Sequence, residues 1–412
     1  MLPRLRMNLD FLPSPMEDKP GLVIRDPFQF SDATLIVPPA LIECLEFFDG
    51  QHSSLDLRAH LVRLTGDLNA GGIEANLTGA LSEAGFLEDE VFERRRAETE
   101  GAFARAAVRE PAHAGSGYPD EPGELRETLE GYLAPGQEHD GQSGEPSSTA
   151  RGKLRAIAAP HVSPFGGVDA YRAAYAALTP ADAERTFVIL GTSHYGNPDC
   201  LGLTRKPFIT PYGEAVTDTK LVDELEGKLG PGARMEDYCH AIEHSIEFQV
   251  IFLQHLFGPR IRIVPVLCGS YLRSIYEGGM PEDSENVRRI LGGLGEMAAR
   301  EGEKLAWVLG VDMAHMGRRY GDERNALAGR EDMEEVERRD RARIERVAAG
   351  DAGGFWELVQ QNHDDLKWCG SAPIYTFLKA VPEARGELLR YQQWNIDEAS
   401  VVSFAGMRFD SQ

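Results

Sequence analysis

The sequence predicts an α/β protein: a mostly parallel sheet flanked by helices, preceded by a second, smaller N-terminal domain. Three observations predict it. LRAIAAPH, RTFVILGTSH, RIRIVPVLCG and LAWVLGVDMAH are short continuous apolar runs that alternate with helical segments near 169–178, 241–257 and 285–300. Such runs are the mark of strands covered on both faces, as in a parallel sheet. The first 95 residues have a different texture, with shorter apolar stretches. A length of 412 residues is about two domains' worth of chain.

The small domain is placed at 20–95. GLVIRDPFQF and ATLIV read as short strands, and PPALIECLEFFDG as a helix stopped by Gly50. SSLDLRAHLVRLTG reads as a helix capped by Ser53 or Ser54, with Leu55, Leu57, Leu61 and Leu64 among its apolar positions. IEANLTGALSEAGFLED adds a third helix ending at Gly85, then a short strand. The charged run EDEVFERRRAETEGAFARAAV reads as a helix, and 96–108 connects to the larger domain, 109–412. Within that domain APGQEHDGQSGEPSSTARG is a polar stretch that predicts a mobile loop near 134–152. LLRYQQWNI and ASVVSFAGMRF supply two strands near the C-terminus.

Composition excludes several classes of function. With 43 basic and 66 acidic residues the net charge is −23, which disfavours nucleic acid and anionic lipid as partners. No apolar run reaches the roughly 20 residues of a membrane helix. The N-terminal stretch lacks the continuous apolar core of a secretion signal. Five irregularly spaced cysteines argue for free thiols in a reducing, cytoplasmic compartment. No phosphate-binding glycine loop follows a strand, and in GTSHYG a histidine stands where a nucleophile elbow would place serine.

The chemistry gathers at strand ends. LRAIAAP runs into His161, TFVILGTS into His194, and LAWVLGVDMA into Asp312 and His315. In open α/β sheets functional groups collect beyond the carboxyl ends of the strands, so these side chains should converge. Neutral imidazole is a common ligand for borderline metals, which makes a metal centre the natural reading. Cys369 precedes a helix placed at 372–381. It reads equally as a thiolate, nucleophilic or metal-binding, and as a buried small hydrophobe.

Seven ordered motifs bring a family into view. REPAHAGSGYP, AIAAPH, ILGTSHYG, IEHSIEFQ, VPVLCG, VDMAHMGRRYG and WCGSAPI span nearly all of 108–412, and this stretch resembles the Memo family, also named AmmeMemoRadiSam system protein B. The resemblance implies a fold similar to class III extradiol ring-cleavage dioxygenases. It also implies a redox metal, iron or copper, held by His161, His194 and Cys369. His315 then becomes the acid/base, with Asp312 orienting it. A thiolate ligand is softer than the carboxylate of those dioxygenases, so zinc is also compatible. Two departures, HVSPFGG after the first histidine and Gly117 in place of an aromatic, are expected to alter or enlarge the pocket mouth. The frame of residues 20–95 is winged-helix-like and resembles the PqqD-like domains that bind leader peptides.

The function expected from these readings is a metal-dependent oxidoreductase, possible as a non-haem oxygenase, acting on a small molecule or peptide. A partner from a radical-SAM system is expected at the N-terminal domain. The alternative is a metal-binding scaffold or signalling protein without turnover. HAIEH also fits a zinc-peptidase pattern, with His240 and His244 on one helix face and Glu243 as base. The preferred reading places Glu243, His244, Glu247 and Ser193 in or behind the pocket, with His244 and Glu247 three apart on one helix. The run from 322 to 350 reads as a solvated helical face.

Overall fold

The computed structural model describes residues 1–412 except 15, 17, 135–151 and 236, so nearly all of the loop expected at 134–152 lies outside the described residues. The chain forms two compact units, Met1–Ala106 and Ala107–Gln412.

The first unit opens with a three-stranded antiparallel sheet, β1 (Asp10–Pro13), β2 (Leu22–Arg25) and β3 (Thr34–Val37), in that order. The helix expected over PPALIECLEFFDG is a 3-10 helix (Pro39–Phe47), which leads to α1 (Ser54–Thr65), α2 (Gly71–Glu83) and α3 (Glu90–Arg105). Leu2 and Leu9 join the core that these elements enclose. Helix α1 starts at a reciprocal cap: Ser53 Oγ accepts the Asp56 N–H and Asp56 accepts the Ser53 N–H. Leu57 and Leu61, one turn apart, are buried, whereas Leu55 and Leu64 are exposed. Leu55 sits about 200° round the helix from Leu57, on the solvent side. The strand expected after Gly85 is a single bridge between Leu5 and Leu87. Arg6 and Asp26 form a buried two-pronged ion pair at 2.9 and 3.0 Å.

The second unit begins with α4 (Pro122–Leu133), β4 (Leu154–Ala159), α5 (Val168–Tyr175) and β5 (Thr186–Thr192). Then come β6 (Leu201–Leu203), β7 (Phe208–Thr210), β8 (Gly213–Thr217), α6 (Thr219–Leu229) and β9 (Ala233–Met235). The middle of the unit holds α7 (Cys239–Ile242), α8 (Glu247–Phe257), β10 (Arg262–Cys268), α9 (Leu272–Glu277) and α10 (Glu285–Glu301). It closes with β11 (Leu305–Gly310), β12 (His315–Gly317), α11 (Glu331–Ala348), α12 (Ala352–Gln360), α13 (Ser371–Ala380), β13 (Ala384–Asp397) and β14 (Ser400–Ser411).

The large sheet runs β12-β14-β4-β11-β5-β10-β6-β9, with β13 on β14 and the β7–β8 hairpin on β10. Its centre, β4-β11-β5-β10, is parallel. Its flanks are antiparallel, because β14 returns beside β4 and β6 beside β10. Alternate residues feed opposite layers. Val188, Leu190, Val264 and Trp307 pack under α6 and α10 to α13, while Phe187, Ile189, Ile263 and Val308 meet α4, α5 and α8. Each such fully buried side chain contributes roughly 1.5–3 kcal/mol.

Two further sequence expectations change in the second unit. The helix expected at 241–257 is two helices, broken between Ile242 and Glu247. The expected solvated run contains α11, whose inner face buries Met333, Val336, Ile344 and Val347 together with Asp340 and Arg343.

Candidate metal centre

The carboxyl ends of β4, β5 and β11 open into a cleft of about 840 Å³. His161, His194, His315, Asp312 and Cys369 all line it. His161 donates its Nδ1–H to the Gly310 carbonyl at 2.9 Å, which leaves Nε2 facing Cys369 Sγ at 3.3 Å. Asp312 accepts the backbone N–H of His161 at 2.9 Å, and its other oxygen lies 3.4 Å from Nε2. The carboxylate therefore backs His161, and the expectation that it orients His315 is corrected. His315 is oriented by backbone instead: its Nδ1–H points at the carbonyls of Met313 and Lys367, 2.9 and 3.1 Å away.

Donor atoms of His161, His194 and Cys369 lie within 4.8 Å of one another. Burial lowers the basicity of His161, but Asp312 and the Cys369 sulfur outweigh it and hold the imidazole at about 9. Burial likewise raises the Cys369 thiol, yet the imidazoles of His161 and His315 draw it down to about 5. Such a sulfur is a thiolate at neutral pH, so the set offers two nitrogens and one soft anionic sulfur.

Cys369 reaches this place through an unusual stretch of backbone. Asn362, His363, Asp364 and Lys367 all have φ near +54 to +55°. Asp364 accepts the Trp368 N–H at 3.0 Å and the Arg343 guanidinium at 2.7 Å. Asp340 accepts from Trp368 Nε1 (2.6 Å), Ser403 Oγ (2.6 Å) and Tyr391 Oη (2.8 Å). Ser403 in turn accepts the Ala314 N–H at 2.8 Å. Thus one buried carboxylate on α11 ties together the neighbours of both Cys369 and His315. Gly370 completes the approach, since a Cβ there would lie 2.6 Å from the Asp312 carbonyl oxygen.

The break between α7 and α8 has a purpose visible in its hydrogen bonds. Arg109, fully buried, donates to the carbonyls of His240 and Glu243, both at 2.8 Å, and pairs with Glu247. Glu243 turns inward from the broken helix. Its carboxylate accepts the N–H groups of His194, His244 and Ser245 and meets His194 Nδ1 at 3.0 and 3.1 Å. Burial opposes the charge on Glu243, but His194 holds its carboxyl well below the usual range. His194 is raised in return despite burial. His194 thereby presents Nε2 to the cleft.

His244 lines the cleft, its ring stacked on His194 at 5.1 Å. Burial, with His194 and His161 adding to it against Glu243, lowers this imidazole to about 4. Glu247 points the other way, accepting from Ala112 N, His113 N and Tyr118 Oη. His244 and Glu247 do not share a helix, so the expected pairing is corrected. Ser193 closes a turn by accepting the Gly196 N–H at 3.1 Å. His240 is buried against Phe208. With the helix ended at Ile242, the i,i+4 pair of a zinc-peptidase pattern does not form, because His240 and His244 lie on different segments.

Several cleft residues were not singled out from the sequence. His113 sits beside His244 and Phe248, with ring centroids 5.5 and 5.7 Å away, and its signal was present in the REPAHAG motif. Arg319 and Tyr320, within VDMAHMGRRYG, and Phe165, within HVSPFGG, also line the cleft, as do Lys367 and Trp394, which lie outside every motif. Gly117 is at the mouth, but the space its side chain would take is filled: a Cβ there would meet the Phe248 ring at 2.9 Å.

The comparisons agree with this architecture. The family model described as "Memo-like protein" matches residues 109–408. A "MEMO1 family protein" of Aquifex aeolicus is 27% identical over 99% of this chain and 100% of its own length. The "MEMO1 family protein TK1477" of Thermococcus kodakarensis is 31% identical, covering 73% of this chain and 99% of its own. The "MEMO1 family protein MK0963" of Methanopyrus kandleri is 28% identical over 73% of this chain and 98% of its own. The strand-end cleft and the helix broken at Glu243 thus lie within the matched region, and the chain belongs to the Memo-like protein family.

Proposed function

We propose that this protein is a metal-dependent oxidoreductase of the non-haem oxygenase type, holding iron or copper through His161, His194 and Cys369. The observation that carries the reading is the donor set: each histidine has its Nδ1 engaged, by Gly310 or Glu243, and Cys369 lies toward the thiolate. The residues present fit a borderline or soft metal. The metal, when bound, supplies the redox step.

The protein's own groups do the rest. Asp312 fixes the backbone at His161, the Gly310 carbonyl and Glu243 orient the two imidazoles, and both carboxylates offset positive charge in a buried setting. Since the Nδ1–H of His315 is committed to two carbonyls, Nε2 remains to accept and return a proton from a group in the cleft. The Tyr320 ring, edge-on to His315 at 4.8 Å, reduces access of water to it. The N-terminal unit is proposed to recruit a peptide or a radical-SAM-system partner, and the five unpaired thiols suit a cytoplasmic setting.

Elemental analysis of anaerobically purified protein tests the centre. Stoichiometric iron or copper is expected in the wild type and should be absent from His161→Ala and Cys369→Ala. No metal at all, or zinc indifferent to both changes, would overturn the reading. His315→Ala should keep the metal and lose turnover; unchanged turnover removes the acid/base assignment. A metal centre with no turnover against catechols or peptides in any variant would favour the scaffold reading.

A further inference from the structure

We infer that the cleft takes a planar aromatic carboxylate, with Arg319 as the group that captures its anionic end. The inference deepens the proposed function by naming a substrate class for the same cleft, but the binding it predicts can be read without the metal.

The first observation is charge. The chain carries 66 acidic residues against 43 basic ones. Among the described residues lining the cleft there is nevertheless a single carboxylate, Asp312, buried and engaged with His161. Two cationic side chains, Lys367 and Arg319, also line the cleft. Lys367 is committed, with Nζ 2.7 Å from Asp322. Arg319 is held only loosely: its Nη1 is 4.0 Å from Asp397, and its side chain is 52% exposed. Its backbone is fixed, because its N–H donates to Ser400 Oγ at 3.0 Å. A guanidinium with a fixed root and free donors suits two-pronged capture of a carboxylate.

The second observation is shape and polarity. Phe165 stands 59% exposed at the cleft, edge-on to Trp394 with ring centroids 5.7 Å apart. Tyr320, beside Arg319, sets its ring edge-on to His315 at 4.8 Å. The exposed phenyl ring of Phe165 offers a π face to a flat ligand, and that stacking is lost to a puckered one. Hydrophobic burial alone would serve any apolar molecule; the rings together with the one loosely paired arginine select an aromatic acid.

The test is equilibrium binding by calorimetry, on the full chain both metal-free and iron-loaded. The probes are benzoate, benzamide and cyclohexanecarboxylate, with inorganic phosphate to gauge capture of any anion. Benzoate should bind about ten- to hundredfold more tightly than benzamide, the range of a charge-assisted hydrogen bond. Arg319→Ala should remove that preference, and Arg319→Lys should restore part of it. Arg319 is exposed, so both variants should fold, which thermal unfolding checks. Equal binding of benzamide and benzoate, or unchanged benzoate binding in Arg319→Ala, overturns the capture. Equal binding of cyclohexanecarboxylate overturns the aromatic slot, and phosphate competing as well as benzoate overturns carboxylate selection. Absence of benzoate binding in both metal states overturns the inference outright. Failure of the metal proposal would show separately, as a metal-free purified protein that still prefers benzoate.

Discussion

The two walls of the cleft are built on different principles. The strand-end wall, with His161, His194 and Cys369, is wired by buried charge: Asp312 backs one histidine, Glu243 the other, and Arg109 with Glu247 pins the backbone between α7 and α8. The other wall, with Tyr320, Trp394 and Arg319, draws on the C-terminal hairpin and the turn before α11, and its arginine is half exposed. Groups meant to hold a cation need fixed distances, which buried and fully satisfied carboxylates provide. Groups meant to admit a ligand need room and a surface that water can leave.

Breaking the first wall should therefore cost far more than altering the second. Glu247→Ala leaves the fully buried Arg109 guanidinium without its counter-charge, and the expected loss is about 3–5 kcal/mol in urea unfolding. Arg319→Ala, by contrast, should stay within about 0.5 kcal/mol. Similar losses for the two would erase the distinction.

Glu243→Gln removes the charge behind His194 while keeping most of the shape. Metal affinity should fall about 10–100-fold on competition with a chelator. An unchanged affinity would mean that geometry and not charge sets this wall.

Asp340 lies behind both walls, since it holds Trp368 and Ser403. Burial lifts its carboxyl to about 6, against the pull of Ser403, Tyr391 and Trp368. Between about pH 4 and pH 6 the folded chain keeps a proton that the unfolded chain, titrating near 3.9, gives up. Stability should thus fall as pH rises through that window, by at most about 1.4 kcal/mol per pH unit from this group, and the slope should flatten above it. In Asp340→Asn that component should vanish; a persisting slope would assign it to other groups.

At the mouth the expected effect is on stability alone. Gly117→Ala places a methyl 2.9 Å from the Phe248 ring, and the repacking should cost about 1–3 kcal/mol without touching metal content. Metal loss in this variant would show the walls to be coupled.

The sequence was legible wherever a local pattern decides the outcome. Continuous apolar runs specify β4, β5, β10 and β11, and because each run stops at the same end of the sheet, His161, His194 and His315 could be brought together on paper. The Ser53 cap of α1 was equally local. Illegible were the residues whose roles depend on distant partners. IEHSIEFQ looks like continuous helix, and only Arg109, more than a hundred positions earlier in the chain, makes the break at Glu243 stable by taking up its freed carbonyls. Asp340 sits in a run of charges like any solvated helix, and nothing local tells it apart from its neighbours.

By itself, then, the sequence determined the α/β class, the strand-end histidines and the family resemblance, because periodicity and strand termination are short-range properties of the chain. Only the tertiary structure decided that Asp312 serves His161, that Glu243 and Glu247 face opposite ways, and that a loosely paired arginine overlooks the cleft. Those outcomes follow from which buried charge finds which counter-charge, and the energy of such a pairing depends on burial and distance, which exist only once the chain has folded.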